Sequence, residues 1–584
     1  MSLAKKSSII IILLALAAAG AVGISRHMHR GITGMGEEFA QKISDKIGFQ
    51  IGLAPKPSWV GQYLSGYHAT SAKDYEKASD YFSGSLNLRA DSETLQTQAM
   101  SLLLVSGKFS EAVQIAKTMQ KTNNGLARLT LIVDAIQNNK LDEAERLTTD
   151  QKGDAGTIIN HVIEAWIKYG KGQKPEAENI LKSLRKSDEA FLPFVDYNYA
   201  LIANLSGDKK TATELYDSLV KIAQLPNSIV SSAYAFYKDQ NNAEKLALIK
   251  SKFNYDGAVS KHPAVTNVKQ GVAEALLGVG SIILTEYSPD KSAALFRLAL
   301  YLNPELDDSK LLLGSILMTE GDYKGANEIL SGIKQDSYLG DYAKLAIAKN
   351  FEAMDDDTKA KQYFELLTQN KETAIDAYVS LGDLARKKES YQEAADYYTK
   401  SIAIATAEAK DGKIAAKYWA LYFARGVCYE RLKDMDKSEA DLLAALKLEP
   451  NQPDVMNYLA YTWIDDGKNL AKAKDMVLKA HEEKPDDPQI TDSLGWAYFK
   501  LGDFNDSVDK LEEAATLLPY DPTVNDHLGD AYWQTGRKNE AKFQWERALK
   551  NDPEPKLAES LKKKLENGIA PDNAATPTQT SNAG

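Results

Sequence analysis

Seven histidines, one cysteine and 81 acidic side chains are the groups from which a catalytic or metal centre would have to be assembled. The histidines are scattered as His27, His29, His68, His161, His262, His481 and His527, and only the first two stand at a spacing that one metal ion could use. Both adjoin an apolar run, where a juxtamembrane or processed linker accounts for them. Gly31-Ile32-Thr33-Gly34-Met35-Gly36 is glycine-rich, but it follows that run instead of a buried strand and lacks a phosphate-binding lysine, so it reads as a linker. Asp355-Asp356-Asp357 has the carboxylates of a cation site and the position of a solvated turn between two helices. There is no Gly-x-Ser-x-Gly elbow, and Cys428, two residues after Gly426 on a helix, reads as a small packing residue instead of a nucleophile. The expectation is a chain with no catalytic residue, no cofactor and no metal.

A different chemistry is offered by residues that recur at matching positions of three successive segments. These are Asn457, Tyr461 and Ile464, then Asp492, Trp496 and Phe499, then Asp526, Asp530 and Trp533. Carboxylates alternate with aromatics. On one continuous surface they would take an extended peptide by stacking and apolar contact, with the acids selecting basic or amide-rich partners. Packing between neighbouring helices competes for the same aromatics. A groove that clamps a terminal carboxylate needs Lys and Asn, which Val379, Asp383, Asp492 and Asp526 do not supply.

The elements that position these residues are helix pairs. Pro488 to Pro519 and Pro522 to Pro553 align without gaps, Pro453 to Pro485 aligns with one insertion, and the period is 34. Leu494-Gly495, Tyr498, Gly502, Phe504 and Leu511 correspond to Leu528-Gly529, Tyr532, Gly536, Lys538 and Trp545, the positions of a tetratricopeptide repeat. A helix-interior glycine costs roughly 0.5–1 kcal/mol relative to alanine, so Gly495 and Gly529 predict close approach of the second helix. Ala541 and Ala548 make room likewise, and Pro519 and Pro553 end their helices. The pattern continues upstream through Leu381-Gly382, Tyr391, Ala394 and Tyr398, through Leu313-Gly314, Gly321, Tyr323 and Ala326, and more weakly through Phe296, Ala299 and Pro304. It degenerates towards Tyr75, Ala78 and Phe82. About thirteen repeats are expected, making an all-α solenoid, a right-handed superhelix of helix-turn-helix units.

Lys5 and Lys6 precede an apolar run from Ile9 to Ile24 that ends in small residues, the pattern of an export signal or of an uncleaved anchor. The run has no cysteine behind it, so lipidation is not expected. The expected organisation is a signal or anchor at 1–30, a linker at 31–58, degenerate repeats at 59–255, a junction at 256–272, the main array at 273–553, a capping helix at 554–567 and a disordered tail at 568–584. On the capping helix, Leu557, Leu561 and Leu565 form the apolar stripe and Lys562 to Lys564 the solvated face. A formal charge of -11 argues against nucleic acid as the general partner.

Asn457-Tyr458-Leu459-Ala460-Tyr461, Asp492-Ser493-Leu494-Gly495-Trp496-Ala497-Tyr498 and Asp526-His527-Leu528-Gly529-Asp530 with Gly536-Arg537 and Trp545 resemble a proteobacterial family of envelope tetratricopeptide proteins. That family includes a lipoprotein adaptor of a carboxyl-terminal processing protease. The resemblance implies a non-enzymatic scaffold of the periplasm or cell envelope that binds proteins or extended peptides, the protease and its substrates among the implied partners. A component of a secretion or polysaccharide-export machine is the alternative. The chain departs from the family in lacking the lipid-bearing cysteine, so membrane attachment would fall to residues 9–24.

Overall fold

The computed structural model describes residues 58–569, except 73, 91, 120–123, 150–157, 187–190, 254, 256–261, 263, 286–288 and 410–412. The expected signal or anchor, most of the linker and most of the tail lie outside the described residues. Those described contain twenty-nine α-helices; all but the last pair two by two, so fourteen helix-turn-helix units precede the single helix Pro555–Asn567. That is one unit more than the sequence pattern suggested.

The pairs begin and end where local chemistry dictates. Helices Pro488–Leu501 and Pro522–Gln534 each carry proline at the first position, where a missing N–H costs nothing, and follow an aspartate whose carboxylate accepts two free backbone N–H groups. Asp487 Oδ1 accepts from Gln489 N at 3.0 Å and Ile490 N at 3.2 Å, and Asp521 does the same for Thr523 and Val524. Within each pair the second helix lies against the glycine notch of the first. A Cβ on Gly495 would come 2.6 Å from Leu511 Cγ, and one on Gly529 2.5 Å from Trp545 Cδ1. Both glycines thus have the close-approach role read from the sequence.

The chain divides into two compact units, up to Tyr363 and from Phe364. In the amino-terminal unit, the first helices of successive pairs, Glu93–Val105, Gly125–Gln137, Ile158–Gly170 and Leu192–Ser206, form one wall. The pair Val268–Thr285 and Pro289–Leu302 lies across it. Val268–Thr285 packs on the second, third and fourth of those helices and Pro289–Leu302 on the first two. Gly271 meets the indole of Trp166 and Gly278 meets Phe194, so two glycines seven residues apart on one helix face let the backbone reach the wall. Phe109 stacks on Tyr301 with centroids 3.5 Å apart, Gln137 Nε2 donates to Tyr301 O, and Lys269 Nζ donates to Gln137 O. Arg297 Nε caps the carboxyl end of Glu93–Val105 through Val105 O at 2.8 Å, and burial pulls its guanidinium down to about 10. The face that would be a binding groove in an open array is here filled by the chain's own helix pair.

Of the segment 256–272, expected as a junction, residues 256–261 and 263 lie outside the described residues, and the rest packs within this unit. It leads to a buried charge cluster: His262 Nδ1 faces Asp308 Oδ2 at 2.9 Å and Nε2 faces Glu274 Oε1, while Tyr338 Oη donates to Asp308 and Tyr197 Oη to Glu274. Ser231 Oγ accepts from both His262 N and Tyr255 Oη. Burial opposes charge on the imidazole, but the Glu274 and Asp308 carboxylates outweigh it and hold the ring protonated, well above the ordinary histidine range. Asp308, although buried, is held below its usual value by His262 and the Tyr338 hydroxyl.

Candidate functional site

Within the carboxyl-terminal unit, spacing assigns to the concave face one row of side chains from each first helix: Ala374–Lys387, Trp419–Arg431, Pro453–Asp465, Pro488–Leu501 and Pro522–Gln534. The eight residues singled out from the sequence divide into two groups. Asn457, Tyr461 and Trp533 are half-buried, whereas Asp492, Trp496, Phe499, Asp526 and Asp530 are buried.

The buried group is consumed by internal contacts centred on His527, a residue the sequence reading left among the scattered histidines. Its ring stacks on Trp496 with centroids 4.0 Å apart and planes 10° from parallel, and Trp496 in turn stacks on Phe499 at 4.7 Å. His527 Nδ1 lies 3.0 Å from Asp492 Oδ2. Burial disfavours the imidazolium, but Asp492 with Asp526 and Asp530 raises its pKa overall. Packing, the competing role for these aromatics, is what the geometry displays at Trp496 and Phe499.

Asp526 and Asp530 are closed off by the terminal helix Pro555–Asn567. Lys564 Nζ donates to Asp526 Oδ1 and to Asp530 Oδ2, each at 2.7 Å, and Trp545 Nε1 donates to Asp530 Oδ1 at 2.9 Å. Burial and the neighbouring Asp526 push Asp530 up to about 6 against the pull of Lys564. Lys564, expected with Lys562 and Lys563 on the solvated face, instead turns inward with a side chain only 17% exposed; two buried carboxylates one helical turn apart demand a cation. Leu561 is fully buried, and Leu557 and Leu565 pack beside it, as the stripe predicted. Gly568 then passes so close to the Trp533 ring that a Cβ would overlap it.

What remains accessible lies further upstream. Val379, Asp383, Phe423, Val427, Asn457 and Tyr461 occupy groove positions and are half-buried. Trp419, Phe423 and Tyr458 form an aromatic chain, with centroids 6.2 and 5.7 Å apart. Arg425 clamps Asp441 bidentately, both nitrogens at 2.7 Å, fixing two successive helices beside this face. Cys428 is fully buried, and burial pushes its thiol up to about 11, away from a nucleophile's range. Among the described residues no group of three or more His, Cys, Asp or Glu gathers as metal ligands would, and Asp356 of the acidic triplet caps the next helix through Lys359 N. No described helix is long and apolar enough to cross a membrane.

Residues 375–407, 420–452 and 523–555 match the family described as tetratricopeptide repeat. These are tetratricopeptide repeats. A TPR repeat-containing protein of Pseudomonas aeruginosa is 34% identical over 94 residues, 16% of this chain and 16% of that protein. Bacteriophage adsorption protein A of Escherichia coli is 34% identical over 82 residues, 14% of this chain and 8% of its own length. Each match therefore spans less than a fifth of the relative. Among solved structures, one of MamA from AMB-1 is 23% identical, with 30% of this chain and 97% of that chain covered and a TM-score of 0.25. The APC/C hetero-tetramer Cut9-Hcn1 is 14% identical, with 87% and 96% covered and a TM-score of 0.35. Tetratricopeptide arrays are protein-interaction scaffolds, and the relatives are bacterial.

Proposed function

We propose that the chain is a non-enzymatic scaffold of the bacterial cell envelope whose carboxyl-terminal repeats bind partner proteins along the face of Phe423, Asn457 and Tyr461. The observation that carries this reading is the contrast between two grooves: the amino-terminal wall is covered by the helices Val268–Thr285 and Pro289–Leu302, while this carboxyl-terminal face keeps aromatic, amide and acidic groups half-exposed. A surface of that kind accepts an extended segment with basic or amide-rich side chains. The apolar run Ile9 to Ile24 behind Lys5 and Lys6 supports export, with the chain either released or held at the membrane by that run. Within the envelope, the segment from Asn457 to Trp545 supports an adaptor role, delivering substrates to a carboxyl-terminal processing protease.

Crosslinking in intact envelopes, with Tyr461 exchanged for a photoreactive residue, tests the reading. A protease or its substrate in the adduct supports the adaptor. An outer-membrane barrel would instead favour a secretion or polysaccharide-export assembly, which the same exported array could serve. A chain found wholly in the cytoplasm, by protease accessibility in spheroplasts, would overturn the envelope assignment.

A further inference from the structure

The helix Pro555–Asn567 is held by few points. Of its thirteen residues only Leu561 is fully buried, and Lys564 supplies the polar anchor between Asp526 and Asp530. Its other charged side chains, such as Lys562, Lys563 and Glu559, face solvent. The seat is specific in charge and in shape: two buried carboxylates require a cation, Leu561 fills the adjoining apolar site, and Gly568 lies against Trp533.

The connection leading into this helix is at odds with its own sequence. Among the described residues, every other residue with positive φ before the terminal helix lies in a turn inside a helix pair. Asp552, at φ 55°, lies instead in the link from one pair to the next element. Asp552 precedes Pro553 and Glu554 precedes Pro555, and proline pushes the residue before it towards extended backbone by steric contact. Glu554 complies, with φ -53° and ψ 147°. Asp552 does not; it is left-handed where the terminal helix folds back on its own last repeat. If Asp552 relaxes to the extended form, residues 551–554 span up to about 13 Å and carry the helix away from its seat.

We propose that this helix exchanges between two copies of the chain, each copy's Lys564 sitting between Asp526 of the partner subunit and Asp530 of the partner subunit. Every side-chain contact of the closed form recurs in the exchanged dimer, and the connector is relieved of its conflict. The opposing term is the entropy of association, which falls as concentration rises. Short, strained hinges are the setting in which such exchange is favoured. The occupant is a second copy because the helix that fits the seat, in charge, apolar register and terminal glycine, belongs to this sequence. The inference does not depend on the protein-binding reading of the upstream face.

Reciprocal charge reversal in the full chain tests it. In K564D the helix no longer suits an acidic seat, and in D526K/D530K the seat no longer suits a lysine, so each variant alone should remain monomeric. Unfolded and refolded together, the two should form a one-to-one species of about twice the chain mass, roughly tenfold more abundant than dimer in either sample alone, because like charges are opposed in every other pairing. A mixture that stays monomeric while both variants keep their helical circular dichroism overturns the proposal. Should D526K/D530K fail to fold, the wild type and D552G decide. Glycine adopts the left-handed backbone without strain, so the dimer fraction after annealing at high concentration should fall several-fold in D552G. An equal or larger fraction, or no dimer in the wild type at any concentration, overturns it as well.

Discussion

Replacing Gly271 with alanine should loosen the amino-terminal unit although alanine is the better helix former. The new Cβ would sit 2.5 Å from Trp166 Cδ2, against a ring that is fully buried and whose Nε1 donates to Asn198 Oδ1 at 2.9 Å. That bond, and the walls around the ring, leave the indole no open space to turn into. Overpacking of this kind costs about 1–3 kcal/mol, and alanine returns about 1 kcal/mol of helix propensity, so a net loss of about 1–2 kcal/mol is expected, the upper half of the range applying to a ring so confined. Amide hydrogen exchange in Val268–Thr285 reads this locally, and the loss corresponds to roughly 5- to 30-fold faster exchange there. Gly125 is the control: no heavy atom lies within 4 Å of its added Cβ, so Gly125→Ala should leave exchange unchanged or slow it. Exchange in Gly271→Ala as slow as in the wild type would refute the packing of residues 268–302 into the amino-terminal wall.

Other perturbations follow from the same contacts. Glu274→Gln removes one carboxylate from the His262 cluster and should cost about 3–5 kcal/mol, the range for a broken buried pair, read as a lower denaturation midpoint. His262 has its folded pKa raised, so its contribution is complete below the ordinary histidine value and is lost as pH rises through the folded value. Wild-type stability should therefore decline on the alkaline side more steeply than that of His262→Gln, measured by thermal melts across pH. Asp530 also has a raised folded pKa, about 6 against 3.8, so protonating it adds stability as pH falls through about 6, an increment complete near 3.8. Asp530→Asn should remove that increment from the pH profile. Trp496→Ala deletes a ring stacked on both sides and should cost about 3–5 kcal/mol, whereas the half-buried Tyr461→Ala should leave the melting temperature within a few degrees of wild type.

The two repeats from Pro488 to Pro553 were legible because their punctuation is local: an Asp-Pro start, a glycine notch and a closing proline all lie within one 34-residue period. The amino-terminal pairs keep the architecture but not the punctuation, since alanines such as Ala200 take the notch and few prolines end helices. The pair at 268–302 could be read as a weak repeat, but not as the filling of a wall that begins more than a hundred residues earlier; Gly271 and Gly278 look like ordinary helix glycines until Trp166 and Phe194 stand opposite them. At the candidate site, position within the repeat identified which residues share a face without revealing which remain open. Lys564 is the sharpest case. A run of three lysines reads as solvated, and the two carboxylates that draw one of them inward lie 34 and 38 residues upstream.

The central claim is that partner proteins meet the carboxyl-terminal face and not the amino-terminal wall. Site-specific photocrosslinking in cells, with the reactive residue at position 461 in one chain and at position 137 in another, measures this directly. Position 461 should yield adducts with a separate protein, lost when unlabelled partner is added in excess, and position 137 should yield only intramolecular links to the segment around Tyr301. Partner adducts at position 137 with none at 461 would contradict the account.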